Sequence, residues 1–379
     1  MKRKTEPRFF GIAAILLVSV TLLTGCIRIR LHRTEEVAES SVIRIETEPE
    51  PIVIEPVETE PETEAIEIPE GMVRSYLTGE LVPEEQGRRR PLAIMMSNDK
   101  EALPQYGINR AGVVYEAPVE GTMNRYLSIM EDYDDLERIG SVRSCRTYYV
   151  YFAREFDAIY AHYGQSTFAK PYLKYIDNIN GIEGTGGTAF FRSSDRKAPH
   201  NAYASYDGIQ KAIEALGYDQ EYDEDYEGHY QFAELGETAK LGGGDVQDAY
   251  RVSVAYRYNS PWFEYHEEDG LYYRYQYGAA HEGSEGQIAV KNLIIQFCPA
   301  SYYASTDYRN INVQGDHYGY FVTGGQAESI SWKKESEFGL THYYDSNGEE
   351  IVLNNGKTWV CICTTNDMDA DDITFSGKE

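Results

Sequence analysis

The sequence predicts an α+β protein, in which a mixed N-terminal part precedes a β-rich C-terminal part. The chain has 33 tyrosines against 13 phenylalanines and 3 tryptophans, and tyrosine favours strands. Beyond Tyr250, residues 252–258 and 271–277 alternate between apolar and polar side chains, which indicates half-exposed strands. Residues 144–156 and 209–216 instead repeat apolar side chains at helical spacing. Hydrophobic residues make up 42% of the chain, enough for a substantial core.

The N-terminus predicts export and lipid anchoring. Four basic residues precede residues 9–23, which carry no charge. That run is shorter than the roughly 20 residues of a membrane span and fits a signal peptide. Residues 23–26 (LTGC) resemble a bacterial lipobox, so residues 1–25 are the predicted signal peptide and Cys26 the lipidated N-terminus. An uncleaved membrane anchor is the alternative. Both place the body outside the cytoplasm, bound to the cell membrane.

Residues 26–87 are predicted to form a disordered acidic tether. Residues 33–70 contain 13 glutamates, 5 prolines and two basic residues. Such a segment buries too little apolar surface to offset its ordering entropy. The whole chain has 62 acidic and 35 basic residues, a net charge of −27. This balance excludes a typical nucleic-acid-binding protein, which needs a basic surface.

Order is predicted to begin near Arg90. Short apolar or alternating runs predict the strands, and helical spacing predicts the helices. Gly217 is the predicted C-terminal stop of the last helix, and two Asn-Gly pairs at 347–348 and 355–356 predict turns. The predicted strands before residue 200 are 92–96, 112–119, 126–130 and 158–163. The later ones, besides the two alternating runs, are 288–297, 318–322, 327–332 and 341–344. The predicted helices are 144–156, 169–176 and 209–216.

Eight phrases in series resemble the YerB-like family of bacterial lipoproteins. They are 90–98 (RPLAIMMSN), 113–126 (VVYEAPVEG followed by NRY), 139–146 (IGSVRSCR), 155–162 (EFDAIYAH), 196–201 (RKAPHN), 289–297 (AVKNLIIQF), 330–334 (ISWKK) and 353–359 (LNNGKTW). The resemblance implies an N-terminal domain at 88–230 and a C-terminal β-rich domain at 245–365, both of unknown function. It further implies a three-layer ββα sandwich. Cys145 departs from the family, which more often has alanine there, and the acidic tract near Tyr222 is peculiar to this chain.

The N-terminal phrases also gather charged and polar side chains. Arginine fits carboxylate and phosphate oxygens bidentately, so we expect one concave pocket that accepts an anion. Arg143 and Arg146 lie three apart near the start of a predicted helix and would share a face. The alternative is a structural network that pins loops to the sheet. The candidate ligand-binding residues are Glu120, Arg125, Arg143, Arg146, His162, Arg196, His200 and Asn201.

Motifs for a catalytic nucleophile or a metal site are weak or absent in the sequence. Ser144 and Cys145 lie between two arginines, but no nucleophile motif surrounds them, and a buried helix cysteine is the favoured interpretation. Residues 367–372 begin like a calcium loop but lack its glycine and closing glutamate, so 366–379 are predicted to be a disordered acidic tail. No zinc spacing is present. We expect no metal or cofactor, and free thiols, with pairing of Cys145 or Cys298 to the 361/363 pair left open.

Two functional classes remain open at this point. The first is a non-catalytic binding or assembly lipoprotein of the cell envelope, whose partners are the membrane, envelope proteins or wall glycans, and not nucleic acid. The second is an envelope hydrolase or transferase with an Arg/His/Glu cleft in the N-terminal domain. A carboxylate and a histidine converging in an open cleft would favour the enzyme. Arginines held in salt bridges would favour the binding protein.

Overall fold

The computed structural model describes residues 66–378. They form a strand-rich mixed structure with few helices. The N-terminal strands are β1 (Met72–Arg74), β2 (Leu81–Pro83), β3 (Leu92–Ser97), β4 (Val113–Pro118), β5 (Asn124–Met130), β6 (Ile139–Gly140), β7 (Ile159–His162), β8 (Asn178–Asn180), β9 (Phe190–Arg192) and β10 (Ala202–Ala204). The next strands are β11 (Gln247–Asp248), β12 (Arg251–Val254), β13 (Trp262–His266), β14 (Leu271–Gln276), β15 (Ala279–Ala280), β16 (Glu282–Gly283), β17 (Gly286–Gln287) and β18 (Ala289–Val290).

The remaining strands are β19 (Asn292–Cys298), β20 (Ala300–Tyr302), β21 (Arg309–Ile311), β22 (Gly315–Thr323), β23 (Gln326–Lys334), β24 (His342–Tyr344), β25 (Thr358–Thr364) and β26 (Ile373–Ser376). The α-helices are α1 (Glu84–Gly87), α2 (Thr147–Arg154) and α3 (Tyr206–Leu216). Five 3-10 helices lie in the described part of the chain, at Lys100–Ala102, Ile108–Arg110, Lys170–Tyr175, Gly184–Ala189 and Ala370–Asp372. No helix within residues 66–378 is long and apolar enough to cross a membrane.

One eleven-stranded sheet runs through both halves of the described chain. Its order is β11-β23-β22-β19-β25-β4-β5-β3-β7-β8, with β24 paired to β23. The halves meet where β25 pairs in parallel with β4, with Val360 opposite Tyr115. β25 pairs in parallel with β19 on its other side. The predicted boundary between residues 230 and 245 therefore does not coincide with a break in this sheet.

Each face of the central sheet carries its own hydrophobic cluster. On one face, a second sheet of order β15-β14-β13-β12-β26, with β18 on β14, packs against it. There the ring of Trp359 lies 6.1 Å from Phe263 and 5.2 Å from Tyr126. On the other face lies α2, whose Phe152 stacks on Tyr115 at 4.4 Å.

The helices form for local reasons that the sequence shows. Every residue of α2 from Thr147 to Ala153 is buried, consistent with its aromatic stripe. Tyr148 and Tyr149 satisfy their hydroxyls by donating to the carbonyls of Pro118 (2.6 Å) and Ala117 (2.9 Å) in β4. Ser205 caps the N-terminus of α3, its side chain accepting from the Gly208 amide, and Gly217 caps the C-terminus with φ +69°. The predicted glycine stop is confirmed.

A buried polar network joins the two sheets. The Glu116 carboxylate of β4 accepts hydrogen bonds from Arg274 of β14 (2.8 Å), Asn124 (2.9 Å) and Asn259 (2.8 Å). Trp359 Nε1 donates to the same carboxylate at 3.2 Å. The side chains of Glu116 and Arg274 are both 0% exposed. The network is therefore buried from solvent, and it holds one sheet against the other.

Two predicted boundaries are wrong. The tether was predicted to continue to residue 87, but β1, β2 and α1 lie before that point, and Leu77 is fully buried. Arg74 of β1 donates to the side chain of Asn355 at 2.9 Å. The predicted acidic tail contains β26, which pairs with β12, so it is part of a sheet. The predicted signal peptide, Cys26 and the tether up to residue 65 lie outside the described residues.

Candidate functional site

The candidate site lies at one end of the central sheet, where several strands finish together. β3, β4 and β7 run in the same direction, since β5 is antiparallel to both β3 and β4, and β7 is parallel to β3. The carboxyl ends of parallel strands form a common edge that often holds ligands. Residues 141–146, called the edge loop below, lie across this edge. The amide of Arg143 donates to Met95 O of β3 at 3.0 Å, and Cys145 N donates to Gly164 O at 2.9 Å.

The edge loop places Arg146 against the residue that follows β4. Arg146 holds both carboxylate oxygens of Glu120, with Nη2 2.5 Å from Oε2. Arg125, from β5, donates to Ser144 O at 2.7 Å and lies 3.8 Å from Glu120. Burial alone would raise the pKa of Glu120, but the hydrogen bonds and charge of Arg146 outweigh it and lower that pKa. Glu120 is therefore ionised and shared by two guanidinium groups.

A second carboxylate lies after β3 and was missed by the sequence analysis. Asp99 Oδ2 accepts from Arg143 Nη2 at 3.2 Å and from Ser97 Oγ at 2.7 Å. His200 Nδ1 lies 3.6 Å from the same oxygen. Arg143 also donates to Pro199 O at 3.1 Å. Arg143 and the loop of His200 therefore meet on Asp99, as the predicted convergence of these two phrases requires.

Positive charge exceeds negative charge in this group, called the arginine cluster below. It comprises three guanidinium groups and two carboxylates, with side chains between 7% and 17% exposed: Arg125, Arg143, Arg146, Glu120 and Asp99. Burial, followed by repulsion from Arg146 and Arg143, lowers the pKa of Arg125 to about 10. Burial also lowers the pKa of Arg143, although the charge of Asp99 opposes this more strongly than the charge of Arg146 adds to it. An anion brought to this edge would relieve that repulsion.

The structure does not place His162 in the arginine cluster. His162 ends β7 and is fully buried. Its Nδ1 is 2.8 Å from Gly164 O, and its Nε2 is 3.3 Å from Asn178 Oδ1. Burial lowers its pKa, and the hydrogen bonds to Gly164 and Asn178 partly oppose this shift. Both ring nitrogens are engaged within the protein, and the prediction that this side chain lines an anion pocket is wrong.

Arg196 and Asn201 also act locally. Arg196 donates to the carbonyls of Ala102 (2.6 Å) and Leu103 (2.8 Å), and so fixes the loop that follows β3. Asn201 donates to Ser193 O at 3.1 Å and accepts from Arg192 at 2.7 Å. For these two residues the alternative interpretation holds, because they pin loops rather than face a common point.

The prediction that Arg143 and Arg146 share a face of a helix is wrong. α2 begins at Thr147, and Arg146 is its N-cap residue with extended backbone, at φ −124° and ψ 158°. Arg143 and Cys145 lie further upstream in the edge loop, so Cys145 is a buried loop cysteine. The two arginines share an edge because the loop is bound to two strand ends, not because of helical spacing.

The thiols are unsuited to nucleophilic chemistry. Cys145 is fully buried, and burial raises the pKa of its thiol to about 12. Cys298, Cys361 and Cys363 are also buried free thiols. The hydroxyl of Ser144 donates a hydrogen bond to Tyr163 O at 3.2 Å. Among residues 66–378, no group of three or more His, Cys, Asp or Glu side chains has a geometry that could hold a metal.

Comparisons with known proteins agree with this architecture. Residues 77–219 match the family described as "Protein of unknown function (DUF3048) N-terminal domain", and residues 252–360 match the corresponding C-terminal domain. The Bacillus subtilis (strain 168) protein named "Putative lipoprotein YerB" is 29% identical over 310 residues, which cover 80% of this chain and 89% of that protein.

A solved structure is also similar. The crystal structure of YerB protein from Bacillus subtilis superimposes with a TM-score of 0.70 at 28% identity, covering 80% of this chain and 99% of that one. The two matched domains lie on the single central sheet described above. By sequence and by structure, the chain belongs to the YerB-like family.

Proposed function

We propose that this protein is a lipid-anchored, extracytoplasmic envelope protein that binds an anionic ligand through the arginine cluster without catalysis. The lipobox-like sequence ending at Cys26 supports the anchor, as does the printed name of the Bacillus relative. The ligand belongs to the envelope, either as a group on an envelope protein or as a wall glycan. We also propose that the second sheet, the central sheet and α2 form the three-layer ββα sandwich implied by the family.

One observation carries the binding proposal. Arg125, Arg143 and Arg146 converge on two carboxylates at the strand edge; burial lowers the pKa values of Arg125 and Arg143, and repulsion from the other two arginines adds to the lowering for Arg125. In a chain of net charge −27, local positive charge also has a specificity role, because it gives an anion one favourable place to bind.

The enzymatic alternative has less support. His200 and Asp99 are 3.6 Å apart, which resembles a base and its orienting carboxylate. However, Asp99 is already bound to Arg143 and Ser97. The neighbouring thiol of Cys145 is buried, with a pKa raised to about 12. An acid–base pair without a positioned nucleophile fits ligand recognition better than hydrolysis or group transfer.

Anion binding is tested by melting the full-length protein in detergent, in phosphate and in chloride at equal ionic strength. Phosphate should raise the melting temperature of the wild type by mass action, in addition to its general salting effect. Arg143→Gln should remove the specific part of the shift, measured for each protein against its own melting temperature in chloride. The matched control is Arg251→Gln, which breaks a half-exposed pair with Glu264 at 2.9 Å. Equal phosphate shifts in all three proteins would refute the site.

The anchor is tested separately. Intact-mass analysis of the mature protein should show a chain beginning at Cys26 with attached acyl groups. The Cys26→Ala variant should keep an unmodified N-terminus and lose this mass addition. An unmodified wild-type chain beginning at Met1 in the soluble fraction would contradict the proposal.

A further inference from the structure

An aromatic hairpin lies beside the arginine cluster. β20 and β21 pair antiparallel, with Tyr302 opposite Arg309, and their connecting loop carries Tyr303 and Tyr308. The ring of Tyr303 stacks on Phe168 with centroids 3.9 Å apart and planes 3° apart. Tyr308 packs edge-on against Phe168 at 5.7 Å. The Tyr302 side chain is 51% exposed. Phe168, Tyr303 and Tyr308 are half-buried, and the guanidinium group of Arg309 lies 5.2 Å from the ring centroid of Tyr302. These four aromatic residues, of which Tyr302 is the exposed one, are called the aromatic hairpin below.

Several contacts fix the aromatic hairpin to the same strand edge as the arginine cluster. The hairpin follows directly from the carboxyl end of β19, which is parallel to β25 and β4. Arg309 donates to Val119 O at 3.0 Å, next to Glu120. Arg146 lies 5.1 Å from the ring centroid of Tyr308. Tyr303 donates to Thr147 Oγ1 at 3.3 Å, at the start of α2. The two surfaces are therefore contiguous.

This arrangement restricts the chemistry of the ligand. The arginine cluster has three guanidinium groups against two carboxylates, so it suits one anionic group rather than a polyanion, which the net charge of −27 would repel. The neighbouring surface offers flat rings and phenolic hydroxyls, which are apolar on their faces and polar at their tips. A sugar ring is complementary to both, since its C–H face stacks on an aromatic ring and its hydroxyls accept and donate hydrogen bonds.

We propose that the ligand of this edge is a saccharide with one carboxylate or phosphate group. The anion lies on the arginine cluster, and the adjoining sugar ring stacks on the aromatic hairpin at Tyr302. This inference rests on the proposed anion-binding function and adds the class of the ligand. Neutral glycans lack the charge that the arginines require, and a simple anion leaves the aromatic hairpin unused.

The test is calorimetric titration of the full-length protein in detergent with five probes. Cellobiouronate and glucose 6-phosphate carry the anion on a sugar as carboxylate and as phosphate. Cellobiose is the neutral match, inorganic phosphate is the anion alone, and a short oligoglutamate peptide is the protein-like competitor. The variants are Arg143→Gln and Tyr302→Ala. The control is Tyr175→Ala, whose ring is 52% exposed and packs 5.1 Å from Phe338.

Wild type should bind an anionic sugar more tightly than phosphate, and bind cellobiose least. Tyr302→Ala should weaken the sugar roughly three- to tenfold, the range of one aromatic contact, and leave phosphate unchanged. Arg143→Gln should weaken the binding of both the anionic sugar and phosphate, and Tyr175→Ala should change neither affinity. Which of the two anionic sugars binds identifies the charged group.

The failures are distinguishable. If phosphate binds to wild type but the sugars gain nothing, or if Tyr302→Ala binds them normally, the saccharide inference is refuted and the anion site stands. Tighter binding of oligoglutamate with the same dependence on Tyr302 also refutes it, in favour of an acidic peptide. If none of the anionic probes binds, the proposed function itself fails.

Discussion

Replacing Arg274 with methionine should strongly destabilise the protein. Arg274 is fully buried between the two sheets and donates to Glu116 Oε2 at 2.8 Å. Methionine has a similar length and fills most of the same space, but it removes the positive charge. Glu116 would keep its neutral donors Asn124 and Asn259 and lose its counterion in a site of low dielectric. A buried carboxylate without a counterion is strongly unfavourable.

The expected size follows from the burial of both partners. Removing one member of a fully buried pair costs about 3–5 kcal/mol. For a folded body of this size, that corresponds to a fall in melting temperature of roughly 5–8 °C. The double variant Glu116→Gln/Arg274→Met removes both charges, so it should be more stable than Arg274→Met alone, because its amide can still accept hydrogen bonds from the asparagines.

The measurement is thermal unfolding at pH 7, followed by circular dichroism in the wild type, both variants and a control. The control is Arg251→Met, which breaks the half-exposed pair with Glu264 and should cost less than about 1 kcal/mol. A fall no larger than that of the control would show that Glu116 is not stranded by the loss of Arg274. A double variant less stable than Arg274→Met would point to shape rather than charge as the cause.

Three further outcomes are expected. Burial raises the pKa of Glu131 to about 7, above its ordinary 4.5. Stability should therefore fall by up to about 3 kcal/mol as pH rises through that window, and Glu131→Gln should flatten this dependence in urea unfolding; an unchanged profile would contradict it. Deleting residues 366–379 removes β26, and the apolar surface that is then no longer buried should lower the free energy of unfolding by about 3 kcal/mol. Deleting residues 377–379 should leave the free energy of unfolding nearly unchanged in the same assay. Residues 66–240 and 241–379 produced separately should each fail to fold and should recover structure together, because each exposes an unpaired edge at β4 or β25; a cooperative melt of either half alone would refute this.

Local features of the fold were predictable because the physical signals are local. Tyr148 and Phe152 repeat at helical spacing, and both lie on the buried α2. The alternation in residues 271–277 appears as β14, whose side chains alternate between buried and half-buried. The joining of the two halves was not predictable, since β25 and β4 are remote in sequence. Their parallel pairing leaves no periodic trace in either segment.

The wrong boundaries show where composition misleads. Acidic residues dominate both the predicted tether and the predicted tail, and high charge with low hydrophobicity indicates disorder. Within the tail, however, Ile373 and Phe375 alternate with polar residues, and this short pattern is enough to pair with β12. At the other end, Val73 and Leu77 are buried although they follow the glutamate-rich run. In both segments, a few apolar residues at buried positions had more effect on the structure than the high average charge of the segment.

The length of a side chain decided which predicted residues reach the candidate site. Arginine carries its charge on a long chain, so Arg125, Arg143 and Arg146 reach a common edge although they come from a strand and a loop. A histidine at a strand end has no such reach, and the position of His162 in β7 directs its ring into the core, where two local acceptors hold it. Asp99 was not predictable, because its partner Arg143 lies 44 residues away and no local pattern links the two. A carboxylate that contacts two cationic groups does not by itself mark the site, because Asp157 also contacts both Arg90 and Arg154. The arginine cluster differs in that three guanidinium groups meet two carboxylates at one strand edge.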